Sequence, residues 1–253
     1  FVSNQSKMAT NITFTASFRI SGRIPEIWNA ESGRIADAPV YQEVEGKTVL
    51  PLTLENSGST FIVFRRSSTQ PHLVEATWST TNLAKATAYD LIQDNGRFFI
   101  SSPSAGTLTA STMDGRTMSV TIPAPPPAQD ISDNWRVSLP TGLDAPVSLN
   151  LPKLASLSEQ SDNRVKFFSG TATYRRTFSL DSNSLDKSRR TRLNLGEVGD
   201  LAQVMVNGRN FGTFWHAPYS IDITDAVNPG ENQLEIRVSN RWINRLIGDD
   251  KLP

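Results

Sequence analysis

The sequence predicts an all-β fold, with two β-sandwich domains in tandem, and three observations support this prediction. Short apolar runs alternate with polar residues at a period of two, as in "ITFTASFRI", a pattern typical of half-buried strands. Turn dipeptides separate several of these runs. Near the middle of the chain, four prolines fall within residues 123–127, and such a segment favours a stiff spacer over a continuing strand.

The proline cluster predicts a domain boundary, with one domain at residues 1–125 and the other at residues 128–253. In the first part, the apolar runs "TVLPLTL" and "STFIVFRR" are separated by the turn signal "ENSG". Two further segments predict β-hairpins, one at Asn95-Gly96 and one at Asp114-Gly115. Both dipeptides suit the positive φ angles of a type I′ turn.

The second part predicts another series of strands, in "GTATYRRTFSL", "TRLNLGEV", "AQVMVNG", "SIDIT" and "NQLEIRVSN". Asn207-Gly208 predicts a hairpin turn after the third of them. Only "TLENS", "NLAKATAYDLI" and "DITDAV" indicate helix, and each is short. We therefore expect almost no helix. Arg175 and Arg176 must face opposite sides of their strand, so one of them points inward or into an interface and needs a partner, while the other is ordinary surface.

Composition excludes several classes of function. Lys+Arg and Asp+Glu are both 25, so no net field attracts nucleic acid or an anionic membrane. The sequence has no cysteine, which excludes disulfides, thiol nucleophiles and zinc sites built on cysteine. No apolar run approaches the length of a membrane span, and the start "FVSNQSKMAT" lacks the features of a signal peptide. Because it begins with Phe, we expect the chain to have been cut from a longer one.

Acidic residues offer no clear catalytic pair. Hydrolysis by paired carboxylates needs the two groups to face each other, about 5–5.5 Å apart for retention of configuration or about 6.5–9.5 Å apart for inversion. The candidates are Glu26, Glu43, Glu45, Asp200, Asp222, Asp225, Asp249 and Asp250. Alternation between Ile221 and Ile223 points Asp222 away from the core, and Asp225 suits a cap or turn. We therefore expect no catalytic residue in this chain.

Histidine is equally scarce, because only His72 and His216 are present. A Ser/His/Asp triad and a zinc site are therefore both disfavoured. A structural calcium ion held by loop oxygens stays open, since such ligands leave no sequence pattern, and no residue is assigned to it.

A group of aromatic and polar residues in the second part is the candidate carbohydrate-binding site. Sugar sites combine an aromatic face with a few polar groups, and these candidates have that chemistry: Trp215, His216, Tyr219, Trp242, Asn244 and Arg245. The alternative is packing, either at the end of the sandwich or against a neighbouring domain. For Trp215 we favour packing, and for Trp242 both interpretations stay open. Trp28 precedes a turn and is expected to plug a hairpin.

Longer motifs carry a family resemblance. The segments "WRVSL", "FFSGTATYRRTFSL", "LNLGEVGDLAQVMVNGRNFGTFWHAPYSIDIT" and "NPGENQLEIRVSNRWINRLIGDDKLP" resemble the C-terminal region of glycoside hydrolase family 106, the α-L-rhamnosidases. The same module resembles the galactose-binding-like jelly roll of family 2 hydrolases. In the first half, "SFRISGRIPEIWNAESGRIADAPVY" and "LPLTLENSGSTFIVFR" resemble the β-sandwich that precedes this module, and the resemblance is weakest over residues 67–127.

The resemblance implies a non-catalytic accessory region that follows an upstream catalytic (β/α)8 barrel in a secreted or periplasmic bacterial enzyme. In that family, the barrel carries the acid and base carboxylates and a calcium ion. The implied partners are a plant or bacterial polysaccharide and the upstream catalytic domain. Two alternatives stay open: a fragment of a full-length hydrolase whose barrel is missing here, and a stand-alone secreted glycan-binding or adhesion module.

The predicted fold can be tested by far-ultraviolet circular dichroism on the isolated chain. We expect a β-type spectrum with helical content well below the roughly one third of residues usual in globular proteins. A helical content near one third would contradict the prediction.

Overall fold

A computed structural model describes residues 1–6, 11–67, 72–80, 89–94, 96–140, 148–186 and 188–251. The chain forms two compact units, Phe1–Pro126 and Pro127–Pro253, so the division falls within the proline cluster. Antiparallel strands dominate both units, which confirms the all-β fold class. No helix in the described ranges is both long and apolar enough to cross a membrane.

The first unit is built from short strands in three sheets. Their orders are β1-β7-β3-β4-β9-β10, β12-β11-β8 and β2-β6-β5. The strands are β1 (Val2–Ser3), β2 (Ile12–Phe18), β3 (Glu26–Trp28), β4 (Ile35–Asp37), β5 (Gln42–Val44), β6 (Lys47–Leu54), β7 (Ser59–Val63), β8 (Leu73–Ser79), β9 (Asp90–Asp94), β10 (Arg97–Ser101), β11 (Gly106–Thr112) and β12 (Thr117–Ile122). Tyr41, Leu50 and Leu52 are buried in a small apolar core, and Phe14 and Phe18 pack against it.

Both predicted hairpins of the first unit form. Strands β9 and β10 pair antiparallel on either side of Asn95-Gly96, although Asn95 itself lies outside the described residues. Strands β11 and β12 pair on either side of Asp114-Gly115. The type I′ interpretation is wrong for this second hairpin, because the Thr112 amide bonds the Arg116 carbonyl across a longer loop. Only Gly115 of the dipeptide has a positive φ, of 82°.

Two other turns have the positive φ angles at both central residues that a type I′ turn requires. Asn207-Gly208 has φ values of 50° and 80°, as its sequence predicted. Glu45-Gly46, which joins β5 to β6, has values of 50° and 73°. The second turn was missed, because glutamate is not a preferred residue for this conformation.

A fully buried carboxylate, that of Glu26, organises part of the first unit. It accepts hydrogen bonds from Arg65 Nη2 at 2.8 Å, from Arg66 Nε at 2.7 Å and from Trp28 Nε1 at 2.9 Å. Arg66 also bonds Asp37. Burial would raise the pKa of Glu26, but the hydrogen bonds from Arg66, Trp28 and Arg65 outweigh it and lower the pKa from 4.5 to about 2. Glu26 is therefore a structural residue, held as an anion.

The second unit contains a six-stranded sheet in the order β14-β13-β15-β20-β17-β18 and a two-stranded sheet, β16-β19. Its strands are β13 (Asp133–Ser138), β14 (Ser148–Lys153), β15 (Thr171–Leu180), β16 (Arg192–Asn194), β17 (Leu201–Val206), β18 (Arg209–Phe214), β19 (Ser220–Asp222) and β20 (Gly230–Ser239). Its helices are α1 (Asn163–Lys166) and α2 (Ile243–Lys251).

One continuous apolar core fills the second unit. The alternation of the central strands places their inward residues in it, including Tyr174 and Phe178 of β15 and Leu234 and Ile236 of β20. Arg176 shares the inward face with the two β15 residues and is half-buried. Its guanidinium donates to the backbone carbonyls of Ile131 and Asp133, so its partners are carbonyl oxygens.

Arg175 faces the other side of the sheet. It is exposed and pairs with Glu235 at 2.7 Å. The prediction that the two neighbouring arginines divide between the faces is therefore confirmed.

The expectation of almost no helix is confirmed, since α1 and the nine-residue α2 are the α-helices of the described residues. Helix α2 packs through a small residue: a Cβ built on Gly248 would lie 2.7 Å from the Cβ of Phe167. Its apolar side chains Ile243 and Leu246 point outward and are 56% and 60% exposed.

In the described residues, none of the three segments whose sequence indicated helix forms an α-helix. "TLENS" is the end of β6 and a turn, and "DITDAV" holds one turn of 3-10 helix, Thr224–Ala226. "NLAKATAYDLI" lies largely outside the described residues, and its last three residues begin β9.

The Glu26 cluster predicts a pH-dependent stability. Glu26→Gln should lower the free energy of unfolding at pH 7 by about 1–3 kcal/mol, because hydrogen bonds between arginines and a buried charge are lost. A folded-state pKa of about 2 means that the stabilisation is complete above pH 4.5 and disappears as the pH falls toward 2.

Denaturant titrations at several pH values should therefore show the gap between parent and variant closing under acid. The matched control is Glu75→Gln, which removes an exposed carboxylate from β8. A gap of the same size at pH 7 and at pH 2 would contradict this account.

Candidate functional site

The second unit brings three chain segments to one end of its large sheet. Leu201 pairs with Ser239 and Ala202 pairs with Phe214, so β17 begins at the end where β18 and β20 finish. Because neighbouring strands lie about 4.8 Å apart, the ends of β18 and β20 are about 10 Å apart, with the start of β17 between them. We call this end the tryptophan rim and define it by Asp200, Trp215, His216, Arg241 and Trp242.

Both tryptophans of the rim present their rings to solvent. Trp215 is 61% exposed and Trp242 is 76% exposed. The His216 ring meets the Trp215 ring edge to face at 4.7 Å, and its Nδ1 lies 2.7 Å from the carbonyl oxygen of Ala217. The expectation that Trp215 plugs the end of the sandwich is therefore wrong. A contact between this ring and another domain stays a prediction.

Polar groups lie at the same strand ends, because Asp200 precedes β17 and Arg241 follows β20. Arg241 Nε pairs with Asp200 Oδ1 at 2.8 Å, and the arginine side chain is 80% exposed. Tyr219 holds the backbone of Asp200, because its hydroxyl donates to the Asp200 carbonyl oxygen at 3.0 Å. The Tyr219 ring is itself buried, with 8% exposed. Tyr219 is thus a supporting core residue, which corrects its placement among the ligand-contacting candidates.

Hydrogen bonds fix the segment that carries Trp242. Asn240 accepts from the Gly170 amide and donates to the Phe168 carbonyl, both at 2.8 Å. The Ser169 hydroxyl donates to the Arg241 carbonyl at 2.9 Å and accepts from the Arg245 amide at 3.0 Å. The backbone on both sides of Trp242 is therefore held in place, and the exposed ring needs little further ordering to bind a ligand.

The remaining candidates from the sequence lie on helix α2. Arg245 pairs with Asp249 one helical turn further on, at 2.8 Å, and Asn244 is half-buried. Asp200 and Arg241, which complete the rim, were not among the binding candidates. Their pairing joins residues 41 positions apart, and only the fold brings them together.

The carboxyl groups with a resolved pKa shift are stabilised as anions. A general acid for glycoside cleavage needs a raised pKa, but every resolved pKa shift of a carboxyl group in the described ranges is a lowering. Burial opposes ionisation of Asp222 and Glu235. Hydrogen bonds outweigh it at both, chiefly from Thr224 at Asp222 and from Arg175 at Glu235. The carboxylates of Asp222 and Glu235 therefore act as acceptors for neighbouring arginine and threonine side chains.

The two histidines belong to different units and have different surroundings. His72 is buried in the first unit, where it stacks on Tyr41 with ring centroids 3.7 Å apart, whereas His216 is on the rim of the second unit. Within the described ranges, no three His, Asp or Glu side chains converge as a metal site would require. A calcium ion held by backbone oxygens stays a prediction.

Comparisons with known proteins find matches for part of the second unit and for the chain as a whole. Residues 155–251 match the family described as the glycosyl hydrolase 2 galactose-binding domain-like family. The structure of a rhamnosidase from Novosphingobium sp. PP1Y matches 98% of this chain, with 34% identity and a TM-score of 0.70. A protein of Formosa agariphila that carries the provisional name β-glucuronidase is 36% identical over 164 residues, which are 65% of this chain.

The chain is much shorter than these relatives. It covers 19% of the rhamnosidase chain and 14% of the Formosa protein. Residues 155–251 are thus similar to the galactose-binding-like domain of glycosyl hydrolase 2 proteins, and the chain matches one segment of a rhamnosidase.

Proposed function

We propose that this chain is the non-catalytic, carbohydrate-binding accessory region of a glycoside hydrolase that resembles the α-L-rhamnosidases of family 106. One observation carries the proposal: two solvent-facing tryptophan rings lie at one end of a domain whose residues match a galactose-binding-like family. Exposed tryptophans on a rigid backbone provide the flat apolar faces that stack on the C–H surface of a sugar ring.

The polar groups of the rim complement those faces. The exposed guanidinium of Arg241 supplies donors, and the Asp200 carboxylate supplies acceptors. Together they suit the paired hydroxyl groups of a pyranose. Since the strand ends that carry Trp215 and Trp242 are about 10 Å apart, the two rings suit successive residues of one saccharide chain better than a single sugar.

Hydrolysis itself is assigned to the rest of a longer parent protein. Glu26, Asp222 and Glu235 are each committed to arginine partners, and the relatives are several times longer than this chain. In this proposal the parent holds the two facing carboxyl groups that the reaction requires, and the present chain supplies binding.

A second candidate role, docking onto another domain of the parent, is favoured by the outward face of α2. Ile243, Leu246 and Ile247 are 56%, 60% and 39% exposed, next to the exposed Trp242. A contiguous apolar patch of this kind marks an interaction surface. In this alternative the helix face and Trp242 become buried against the partner domain, and Trp215 is left for sugar.

Ring truncation distinguishes a binding surface from a structural one. Trp215→Ala and Trp242→Ala should each weaken saccharide binding at least fivefold in calorimetric titrations, because one stacking face is removed. Each should change the free energy of unfolding by no more than about 0.5 kcal/mol, since both rings are exposed.

Tyr219→Ala is the contrasting variant. It truncates a buried ring and should cost about 3 kcal/mol or more in stability. Tryptophan variants that unfold like the parent yet bind every saccharide as tightly as the parent would contradict the proposed site.

The assignment of hydrolysis to the rest of the parent predicts that the isolated chain is inactive. Incubation with an aryl α-L-rhamnoside should release no more phenol than buffer. Turnover above buffer that disappears on replacing a single carboxylate, for example in Asp222→Asn or Asp249→Asn, would contradict the proposal.

A further inference from the structure

The outer face of the six-stranded sheet carries a row of charges that the tryptophan rim does not use. Arg136 of β13 lies directly opposite Arg175 of β15, and Arg175 lies opposite Glu235 of β20. Residues directly opposite one another share a face of the sheet, so all three side chains point the same way. Arg237, two residues beyond Glu235 on β20, points to that face as well.

The charges in this row do not balance. Glu235 uses both carboxylate oxygens, one for Arg175 Nε at 2.7 Å and one for Arg237 Nε at 2.8 Å. Among the described residues, Arg136 has no carboxylate within ion-pair distance. Three guanidinium groups therefore share one carboxylate. Two of them occupy directly opposed positions, an arrangement that destabilises a sheet unless a counter-charge is present.

A concave site accompanies this excess charge. A cavity of about 400 Å³ is lined by Arg136, Arg175, Glu235, Met205 and Gln233, among others. The volume falls in the range of small-ligand pockets. Met205 adds an apolar patch, and Gln233 adds an amide that can donate and accept. Planar guanidinium groups beside these neighbours suit an oxyanion carried on a polar ring.

We infer that this cavity binds an anionic saccharide residue, whose carboxylate or sulfate ester takes the counter-charge position between Arg136 and Arg175. The inference rests on the proposed function in one respect, that the chain binds saccharides. It adds a second contact surface, on the sheet face, and a class of sugar. The acidic group accepts hydrogen bonds from Arg136 and from the part of Arg175 that Glu235 leaves free.

Calorimetric titration of the whole chain with three oligosaccharides tests the inference. An α-1,4-linked oligogalacturonate carries carboxylates, its methyl ester has the same chain without charge, and a κ-carrageenan oligosaccharide carries sulfate esters only. At low salt, we expect an acidic probe to bind at least tenfold more tightly than the neutral ester. The preference should weaken as salt is raised, because the site is open to solvent.

Two substitutions should move the affinity in opposite directions. Arg136→Gln should weaken binding of the acidic probe about tenfold, because a charge-assisted hydrogen bond is lost. Glu235→Gln should strengthen it severalfold, since it frees Arg175 and Arg237 from their internal counter-charge. Arg116→Gln, which removes an equal charge from an 83% exposed side chain in the first unit, is the matched control and should have no effect.

The outcomes separate this inference from the proposed function. Tighter binding of oligogalacturonate or of the sulfated probe, lost in Arg136→Gln, supports the inference and identifies the acidic group. If the neutral ester binds through Trp215 and Trp242 while Arg136→Gln changes nothing, the inference fails and the proposed function stands. If no saccharide binds, both fail.

Discussion

The ten-residue antiparallel ladder between β15 and β20 is the constraint on which both proposed sites of the second unit depend. Thr171 pairs with Ser239 at one end and Leu180 with Gly230 at the other, and the period of two then decides which side chains enter the core. The strand ends project the tryptophan rim, and the middle of the ladder places Arg175 opposite Glu235 on the outer face. A shift of register by one residue would exchange the two faces and bury these charges.

Ionic groups differ in burial and in pairing between the two units. Glu26 is buried and satisfied by two arginines and an indole, so it stabilises one arrangement of its neighbours and has little freedom for chemistry. On the sheet face of the second unit, the arginines outnumber their one described carboxylate partner and remain about half exposed. A buried carboxylate that is fully hydrogen-bonded to its neighbours is structural. A cationic group that lacks a counter-charge and lies beside a cavity can recognise a ligand.

Local sequence signals were enough to predict the alternating strands and the hairpin turn at Asn207-Gly208, because period and turn preference act over a few residues. They did not predict helix α2, whose apolar side chains face outward while Gly248 contacts Phe167, the reverse of the usual amphipathic pattern. The sequence indicated that Trp215 would pack, yet whether a ring between two strands is covered depends on distant loops. Likewise, the Asp200–Arg241 pair exists only after the sheet has formed.

The central claim is that the exposed rings of the second unit are the saccharide-contacting surface, and indole N–H resonances test it most directly. The chain has five tryptophans, so ¹⁵N-labelled protein titrated with a saccharide reports on each ring separately. The account predicts that the signals of Trp215 and Trp242 shift with a common saturation curve. The signal of Trp135, which is buried and bonded to the Ile131 carbonyl, should stay fixed. Saturable binding that leaves the Trp215 and Trp242 signals unmoved would contradict the account.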